Sequence, residues 1–282
     1  MKNIVQVVED YISSCENKIK CPFFKLLLKA VLAGAMIALG ACAGNVASHA
    51  IENVGLARVA SAVVFPVGLM MIVLIGAELF TGDCLMAMSY FNKKQSLLSV
   101  IRVLAIVYCG NFIGASLVAL GAFISGQFDY SAGLLGAYSI KVALGKVNLP
   151  FMSALVSGIW CNILVCAAIV MAGASKDVTG KLIAIFFVIM LFVVEGFEHC
   201  VANMYYITAG LIANHHASYV QVAVERFGFT AEKLQTLNLK SYLVNNLVPV
   251  TLGNIIGGAI CLGLPLVYLN INKEANTPVN HE

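Results

Sequence analysis

Long apolar stretches without Asp, Glu, Lys or Arg most limit what this chain can fold into. A helix needs about 20 apolar residues to cross the hydrocarbon core of a bilayer, where every backbone polar group must be satisfied internally. Five uncharged runs cover residues 30–51, 59–77, 103–128, 147–175 and 241–272, and a sixth, 182–213, is interrupted only by two glutamates. The sequence therefore predicts an all-α membrane protein with six spans.

Composition and charge agree with a membrane protein. Hydrophobic residues make up 60% of the chain, charged residues only 11%, and the mean hydropathy is +0.91. The net charge is +3, but the basic residues lie beside apolar runs and form no stripe with aromatics, so we predict membrane lipid and no nucleic acid as a partner. With six crossings, most lysines and arginines fall on the side of the N-terminus, which predicts both termini in the cytoplasm.

The sequence offers little for catalysis or metal binding. The nine cysteines form no CxxC pair, and most lie in or next to apolar runs, as expected for small buried hydrophobic residues. Glu195, Glu198 and His199 resemble the H-x-x-E-H zinc pattern, but its first histidine is a glutamate here, and the chain contains no HExxH. We therefore predict no enzyme, no catalytic residue, no metal site and no cofactor, and an intramembrane metalloenzyme is the weakest alternative.

The chain divides into five segments by pattern. Residues 1–22 alternate apolar and charged positions up to Pro22, which predicts an amphipathic helix that docks on the cytoplasmic face. The remaining segments are a first three-span repeat at 23–128, an extracellular connection at 129–146, a second three-span repeat at 147–272 and a cytoplasmic tail at 273–282.

An internal repeat relates the two halves. CGNFIGA at 109–115 matches LGNIIGG at 252–258, and a different offset of 117 residues carries Asn45 onto Asn162 and Glu78 onto Glu195. Three crossings per half is an odd number, so the second copy must be inverted in the membrane. The glutamates interrupt the second and fifth spans, and paired interruptions in an inverted repeat predict a permeation site.

The ionisable residues within the spans allow two interpretations. Glu78, Glu195 and Glu198 facing a pore would favour a cation path or a proton relay, and hence a cation-coupled secondary transporter. Alternatively, Glu198 pairs with Lys146 and Asn203, which leaves His199 as the donor at the pore. The residue pattern alone leaves both open.

Four stretches together resemble the formate/nitrite transporter family over nearly the whole chain: AELFTG, residues 146–162, VEGFEHCVANM and PVTLGNIIGG. The resemblance implies an aquaporin-like six-span inverted repeat with interrupted second and fifth spans, assembled as a homopentamer in a bacterial inner membrane. Within the family, the overall sequence is most similar to members that pass hydrosulfide.

The resemblance also implies residue roles. The residues expected at the pore are Thr81, His199, Lys146, Asn162 and Asn254. Phe65, Leu69, Leu79 and Phe80 are expected at a cytoplasmic constriction, and Phe192 at a periplasmic one. Glu198 and Asn203 are expected to support the pore.

Together these expectations describe a channel for small monovalent weak-acid anions. Two apolar rings would flank a polar chamber that holds Thr81 and His199 and would exclude larger solutes. Hydrosulfide is the first expected substrate, with formate or nitrite also passing. The alternatives are formate or nitrite as the main substrate with proton coupling through His199, and the cation-coupled transporter.

Overall fold

The computed structural model describes residues 1–271, so the predicted tail at 273–282 lies outside the described residues. This part of the chain is helical and contains no β-strand. Its helices that are long and apolar enough to cross a membrane cover Phe23–Ser48, Val54–Ile75, Leu97–Ile124, Phe151–Ala174, Val178–Glu195 and Ser241–Asn270. The predicted all-α, six-span architecture is confirmed.

Helix α1, Ile4–Ile19, is amphipathic and packs on the rest of the protein. Its buried Val8 and Ile12 contact apolar side chains of other segments. The Tyr11 hydroxyl donates a hydrogen bond to the Gly82 carbonyl at 3.0 Å. At its end, Arg102 donates to the Ile19 carbonyl at 2.7 Å, so α1 is held along its whole length.

The first half contains two long helices on either side of an interrupted one. In chain order it comprises α2 (Phe23–Ser48), α3 (Val54–Val64), α4 (Val67–Ile75), α5 (Phe80–Asp83), α6 (Ala87–Phe91) and α7 (Leu97–Ile124). Helices α3 and α4 form one span that bends at Pro66, because proline cannot donate the backbone hydrogen bond that would continue the helix. The interruption follows α4.

The second half repeats this plan. After α8 (Leu134–Val147) come α9 (Phe151–Ala174), α10 (Val178–Glu195), α11 (Cys200–Asn214), α12 (Ala217–Phe227) and α13 (Ala231–Gln235). The last span, Ser241–Asn270, is one continuous helical segment in which a stretch of wider π-helix precedes each of α14 (Val248–Ile255) and α15 (Leu264–Asn270). The interruption of the fifth span lies between α10 and α11.

Glycines show that the two halves pack alike. Helix α7 approaches α2 so closely that a Cβ at Gly114 would overlap the Val31 carbonyl. The last span approaches α9 so closely that a Cβ at Gly257, just after α14, would overlap the Ile159 carbonyl. These glycines occupy equivalent places in CGNFIGA and LGNIIGG. The match between these two motifs is therefore a match in structure.

An asparagine in each motif holds a helix break. The Asn111 amide oxygen accepts a hydrogen bond from the Phe80 N–H at 2.9 Å. Its amide nitrogen donates to the Ala30 carbonyl at 2.7 Å and the Glu78 carbonyl at 3.1 Å. Since unpaired backbone groups are costly at membrane depth, this buried amide stabilises the unwound segment.

Asn254 makes the corresponding contacts in the second half. It accepts from the Cys200 N–H at 2.9 Å and donates to the carbonyls of Gly158 at 2.8 Å and Glu198 at 3.0 Å. Glu198 therefore occupies the place that Glu78 has in the first half. The predicted equivalence of Glu78 and Glu195 is therefore wrong, because the residue equivalent to Glu78 lies three positions after Glu195.

The pairing of Asn45 with Asn162 is also wrong. In the second half, the Asn162 amide donates to the Asn254 carbonyl at 2.7 Å. In the first half, the carbonyl of Asn111, the equivalent of Asn254, lies next to Gly34. The equivalent of Asn162 is therefore Gly34. Segments between the equivalent helices differ in length in the two halves, so no single offset relates them. The inverted repeat survives this correction, with each pair of equivalents matched helix by helix.

The segment expected as a connection, residues 129–146, largely forms a helix. Helix α8 ends at Val147 and packs against α11, where Gly210 meets Ser139 and Ala143. With 14 residues, α8 is shorter than a membrane span, although one of its faces is buried. The packing of α8 places Lys146 in the interior.

Candidate functional site

Two mirrored breaks bring the candidate residues together. Helices α4 and α10 are followed directly by Gly76 and Gly196, whose φ values are +73° and +74°. This left-handed conformation favours glycine, which has no Cβ. The chain then runs without helix to Leu79 and His199, directly before α5 and α11.

Thr81 and His199 meet between the breaks. The Thr81 Oγ1 and the His199 Nε2 lie 3.0 Å apart, and both side chains are buried. The predicted proximity of these two residues therefore appears in the structure as a direct hydrogen bond. It joins α5 of one half to the start of α11 of the other.

The ring of His199 has a defined orientation. Its Nδ1 accepts a hydrogen bond from the backbone N–H of Ala202 at 3.1 Å, and thereby caps the start of α11. A backbone amide can only donate, so Nδ1 carries no proton and a neutral ring carries its proton on Nε2. The group that faces Thr81 is thus an N–H donor.

Lys146, Glu198 and Asn203 form the expected network. The Lys146 ammonium lies 2.9 Å from Glu198 Oε1, and the Asn203 amide donates to Glu198 Oε2 at 2.6 Å. Asn203 also donates to Asn246 Oδ1 at 2.8 Å, and Asn246 donates to the Lys146 carbonyl at 3.0 Å. Both carboxylate oxygens of Glu198 are therefore engaged by hydrogen-bond donors.

A cavity of about 410 Å³ lies on one side of the Thr81–His199 pair, and we call it the distal cavity. The C-terminal end of α2 lines this cavity. That end lies about 39 Å from the N-terminus of α2, which follows α1. Arg58, Lys141, Lys146 and His199 line it, as does one carboxylate, Glu52. Even with Lys146 neutralised by Glu198, Arg58 and Lys141 outnumber Glu52, so the lining has a positive formal charge.

A second cavity, of about 270 Å³, lies on the side of α1, and we call it the α1-side cavity. Its charged lining consists of Lys18, Lys29, Glu78 and Asp83. Lys18 forms ion pairs with Asp83 and, at 2.6 Å, with Glu78, which also lies 3.4 Å from Lys29. Cations and carboxylates balance here, unlike in the distal cavity.

Apolar side chains line both cavities close to the buried pair. Phe65 and Phe192 pack edge to face with ring centroids 5.6 Å apart, and both line the distal cavity. Leu69 and Leu79 line the α1-side cavity. The structure thus places Phe65 with Phe192, apart from the leucines with which the sequence grouped it.

Phe80 and the two asparagines lie outside both cavity linings. Phe80 packs on Tyr108 with ring centroids 4.8 Å apart, which turns it toward α7. Asn162 donates to the Thr81 carbonyl at 3.1 Å, and Asn254 bonds only backbone groups. These amides hold the breaks in place.

The sequence did not single out several residues of these cavities. In the sequence, Arg58, Lys141 and Lys18 are simply basic residues in or beside apolar runs. Arg58 is the single charged residue inside the second candidate span, and that position could have marked it. Glu195, by contrast, is exposed at the end of α10 and lines neither cavity.

Comparisons with known proteins agree with this architecture. The sequence profile described as "Formate/nitrite transporter" matches residues 5–268. The formate channel FocA of Haemophilus influenzae is 36% identical over 252 residues, covering 89% of this chain and 88% of the relative. A probable formate transporter of Methanothermobacter thermautotrophicus is 35% identical over 263 residues, covering 87% and 88%.

The fold also matches a solved structure described as a pentameric formate channel with formate bound. That match has a TM-score of 0.77 and 30% sequence identity, and covers 88% of this chain and 98% of the other. The profile spans most of the chain, and the relatives exceed 30% identity over most of their length. The chain therefore belongs to the formate/nitrite transporter family.

Proposed function

We propose that this protein is a homopentameric channel for small monovalent weak-acid anions. Hydrosulfide is the first substrate, and formate or nitrite also pass. The observation that carries the proposal is the buried Thr81–His199 hydrogen bond, which lies at the meeting point of two helix breaks with a cavity on either side. An N–H and a hydroxyl can each donate to an anion that has lost part of its water.

The residues on either side of this pair fit selection by size and desolvation. The Phe65–Phe192 pair covers one side and Leu69 with Leu79 the other. Dehydrating an anion between apolar side chains is costly, so only a small, weakly hydrated anion or its neutral acid would cross. The Lys146 ammonium adds positive potential on the distal side.

The charges argue against a cation-coupled transporter. Glu198 is paired with Lys146, and Glu78 is paired with Lys18 and Lys29, so neither is a free carboxylate. Glu195 lines neither cavity. The carboxylates that would bind a coupling ion are engaged in ion pairs or lie away from the path.

The orientation of His199 bears on proton coupling. Because Nδ1 accepts from Ala202, transfer of the Nε2 proton to an anion would leave an imidazolate, unless Nδ1 gave up that bond and took a proton. This favours His199 as a hydrogen-bond donor that keeps its proton. Flux that collapses when the proton gradient is removed would contradict this role.

Proteoliposome flux tests the proposal. Hydrosulfide, formate, nitrite and chloride are compared for the wild type and for Thr81→Val, Lys146→Met and His199→Phe. We expect hydrosulfide and formate to pass faster than chloride, and each variant to pass them at least tenfold more slowly, because loss of a charge-assisted hydrogen bond weakens binding by about that factor. Equal flux in all three variants would refute the proposed chamber.

The pentamer needs a separate measurement. Many large apolar side chains are exposed on one chain, among them Leu98, Phe187 and Leu252, and these would face lipid or neighbouring copies. Native mass spectrometry should give five times the 30.0 kDa of one chain. A monomer or trimer in lipid nanodiscs would contradict the proposed assembly.

A further inference from the structure

The ammonium of Lys146 lies between a carboxylate and an aromatic ring. Its Nζ is 2.9 Å from Glu198 Oε1 and 5.2 Å from the centre of the Tyr206 ring. A cation within about 6 Å of the face of a tyrosine is attracted by the quadrupole of the ring. Tyr206 is therefore a second partner of Lys146, beside the ion pair with Glu198.

Helix α11 places Tyr206 next to this ammonium. Asn203 and Tyr206 are three residues apart on α11 and so share one face of the helix. Asn203 donates to Glu198 Oε2 at 2.6 Å, and both Asn203 and Tyr206 line the distal cavity together with Lys146. A Cβ at Gly44 would lie 3.7 Å from the Tyr206 hydroxyl, so the tyrosine reaches from α11 to α2.

A ring and a carboxylate act differently on a lysine. A carboxylate cancels the charge, whereas a neutral ring attracts the ammonium and leaves its charge in place. The Lys146 side chain is only 16% exposed, and within residues 1–271 its ammonium donates a hydrogen bond to Glu198 alone. Two of its three N–H groups are thus left over, and the ring stabilises the ammonium without occupying them.

The other lysine of the distal cavity also has aromatic partners. Lys141, on the same helix α8, stacks over Phe227 at 4.6 Å and over Tyr138 at 5.8 Å. It forms no ion pair within the described part of the chain. Stacking on rings is therefore a shared way of holding the lysines of α8 in this wall.

We infer that Tyr206 is a positioning residue of the channel, whose ring holds the Lys146 ammonium so that its remaining N–H groups face the passing anion. Tyr206 acts through Lys146 and needs no contact with the anion itself. Without the ring, Glu198 alone determines where the ammonium lies. The inference rests on the proposed anion channel and adds to it a residue outside the Thr81–His199 pair.

The test changes the electron density of the ring and keeps its shape. Tyr206 is replaced by phenylalanine and by phenylalanines with one, two or three ring fluorines, because fluorine draws electrons from the ring face and weakens its attraction for a cation. Tyr206→Leu removes the ring. Formate uptake into proteoliposomes is measured against formate concentration for each variant, alone and together with Lys146→Met.

The same fluorinated series at Phe128 is the matched control. The Phe128 side chain is 1% exposed and does not line the distal cavity. No lysine or arginine within residues 1–271 stacks over its ring. Fluorine at Phe128 therefore reports effects on packing alone.

We expect Tyr206→Phe to resemble the wild type, because the ring face is kept. The half-saturating formate concentration should rise stepwise with each added fluorine, to roughly threefold to tenfold for three fluorines or for Tyr206→Leu, as for a lost cation–π contact at a partly buried site. In the Lys146→Met background, the residual uptake should be the same for every ring, since no cation is left to attract. The Phe128 series should match the wild type.

Thermal unfolding separates this inference from the proposed channel. A double-mutant cycle of Tyr206→Leu and Lys146→Met reports the contact whether or not anions pass, and additive effects would refute the contact. Coupling in the cycle, together with uptake that is indifferent to fluorine, would refute the positioning role and leave the channel standing. A wild type that passes no formate, hydrosulfide or nitrite would refute the channel and the role together, while coupling in the cycle would still establish the contact.

Discussion

At the scale of single residues, the buried Glu78 and Glu198 show how this protein accommodates carboxylates within the membrane. Glu198 and Glu78 hold equivalent places after the two breaks, and each is matched with lysine. An isolated carboxylate at this depth would be expensive, whereas a paired one helps to shape the break. The two glutamates are therefore structural parts of the site.

This role predicts the effect of removing one partner. Glu198→Gln leaves the Lys146 ammonium without its carboxylate, and loss of one partner of a buried pair costs about 3–5 kcal/mol. We expect a clear fall in the unfolding temperature of the detergent-solubilised protein. Circular dichroism during heating measures it.

A double variant separates the pair from other effects of the substitution. Lys146→Met together with Glu198→Gln removes both charges, so it should unfold closer to the wild type than Glu198→Gln does. If Lys146→Met lowers the stability of the Glu198→Gln variant as much as it lowers that of the wild type, the two side chains do not act as a pair.

At the scale of elements, the two interruptions depend on glycine. Gly76 and Gly196 have positive φ, where a side chain costs about 1–2 kcal/mol. Changing either glycine to alanine should therefore lower the unfolding temperature of the protein. The two effects should be similar, because open space surrounds Gly76 and the atom nearest to a Cβ at Gly196, Arg58 Nη1, lies at an ordinary contact distance of 3.4 Å.

Gly121 supplies the matched control. It lies inside α7 with open space around it and no positive φ, so Gly121→Ala should leave stability unchanged or raise it by about 1 kcal/mol. Equal stability of all three alanine variants would mean that the backbone at the breaks relaxes freely.

Docking of α1 is a second property at the scale of elements. Cys15, on the buried face of α1, is fully buried, and burial raises the pKa of its thiol to about 11, opposed by the nearby Lys18 ammonium. Maleimide reacts with the thiolate, whose fraction at pH 8 is on the order of one in a thousand for such a pKa. Labelling should stay slow up to pH 8 and rise toward pH 11.

Cys21, which is partly exposed just after α1, is the internal reference. In a background without the other cysteines, Cys15 should label far more slowly than Cys21. Lys18→Gln removes the ion pairs with Asp83 and Glu78 and should speed labelling of Cys15 alone. Equal labelling rates of Cys15 and Cys21 in the wild type would show that α1 is not docked.

The elements also show what sequence could and could not predict. The six spans follow from length and hydropathy, which act locally along the chain. The match of Glu78 to Glu195 was wrong because it relied on similar residues around both glutamates. The equivalence in structure depends instead on the breaks at Gly76 and Gly196. A comparison of two sequence segments does not reveal the positive φ of these glycines.

Packing across segments was equally hidden. Phe65 and Phe192 lie in different halves of the sequence, yet their rings pack against each other. Asn45 and Arg58 share a cavity because α2 and α3 meet there, although no pattern in the sequence links the two positions. Such contacts depend on how helices pack, which the residue pattern leaves open.

At the scale of the whole molecule, the two cavities differ in charge. The distal cavity is lined by Arg58, Lys141 and Lys146 against Glu52. In the α1-side cavity the two lysines face two carboxylates, so the charges cancel. A positive lining raises the local concentration of anions, and salt screens this effect over about 10 Å at 0.1 M.

This difference predicts an asymmetry in salt dependence. At low formate concentration, uptake from the distal side should fall more steeply with ionic strength than uptake from the α1 side. The measurement uses intact cells and inverted vesicles, with an impermeant salt raised from about 0.01 to 0.3 M, a range over which the screening length drops from about 30 Å to below 10 Å. Lys141→Gln should reduce the slope on the distal side only. Equal slopes on both sides, or an unchanged distal slope in Lys141→Gln, would show that the charges of the distal cavity do not guide the anion.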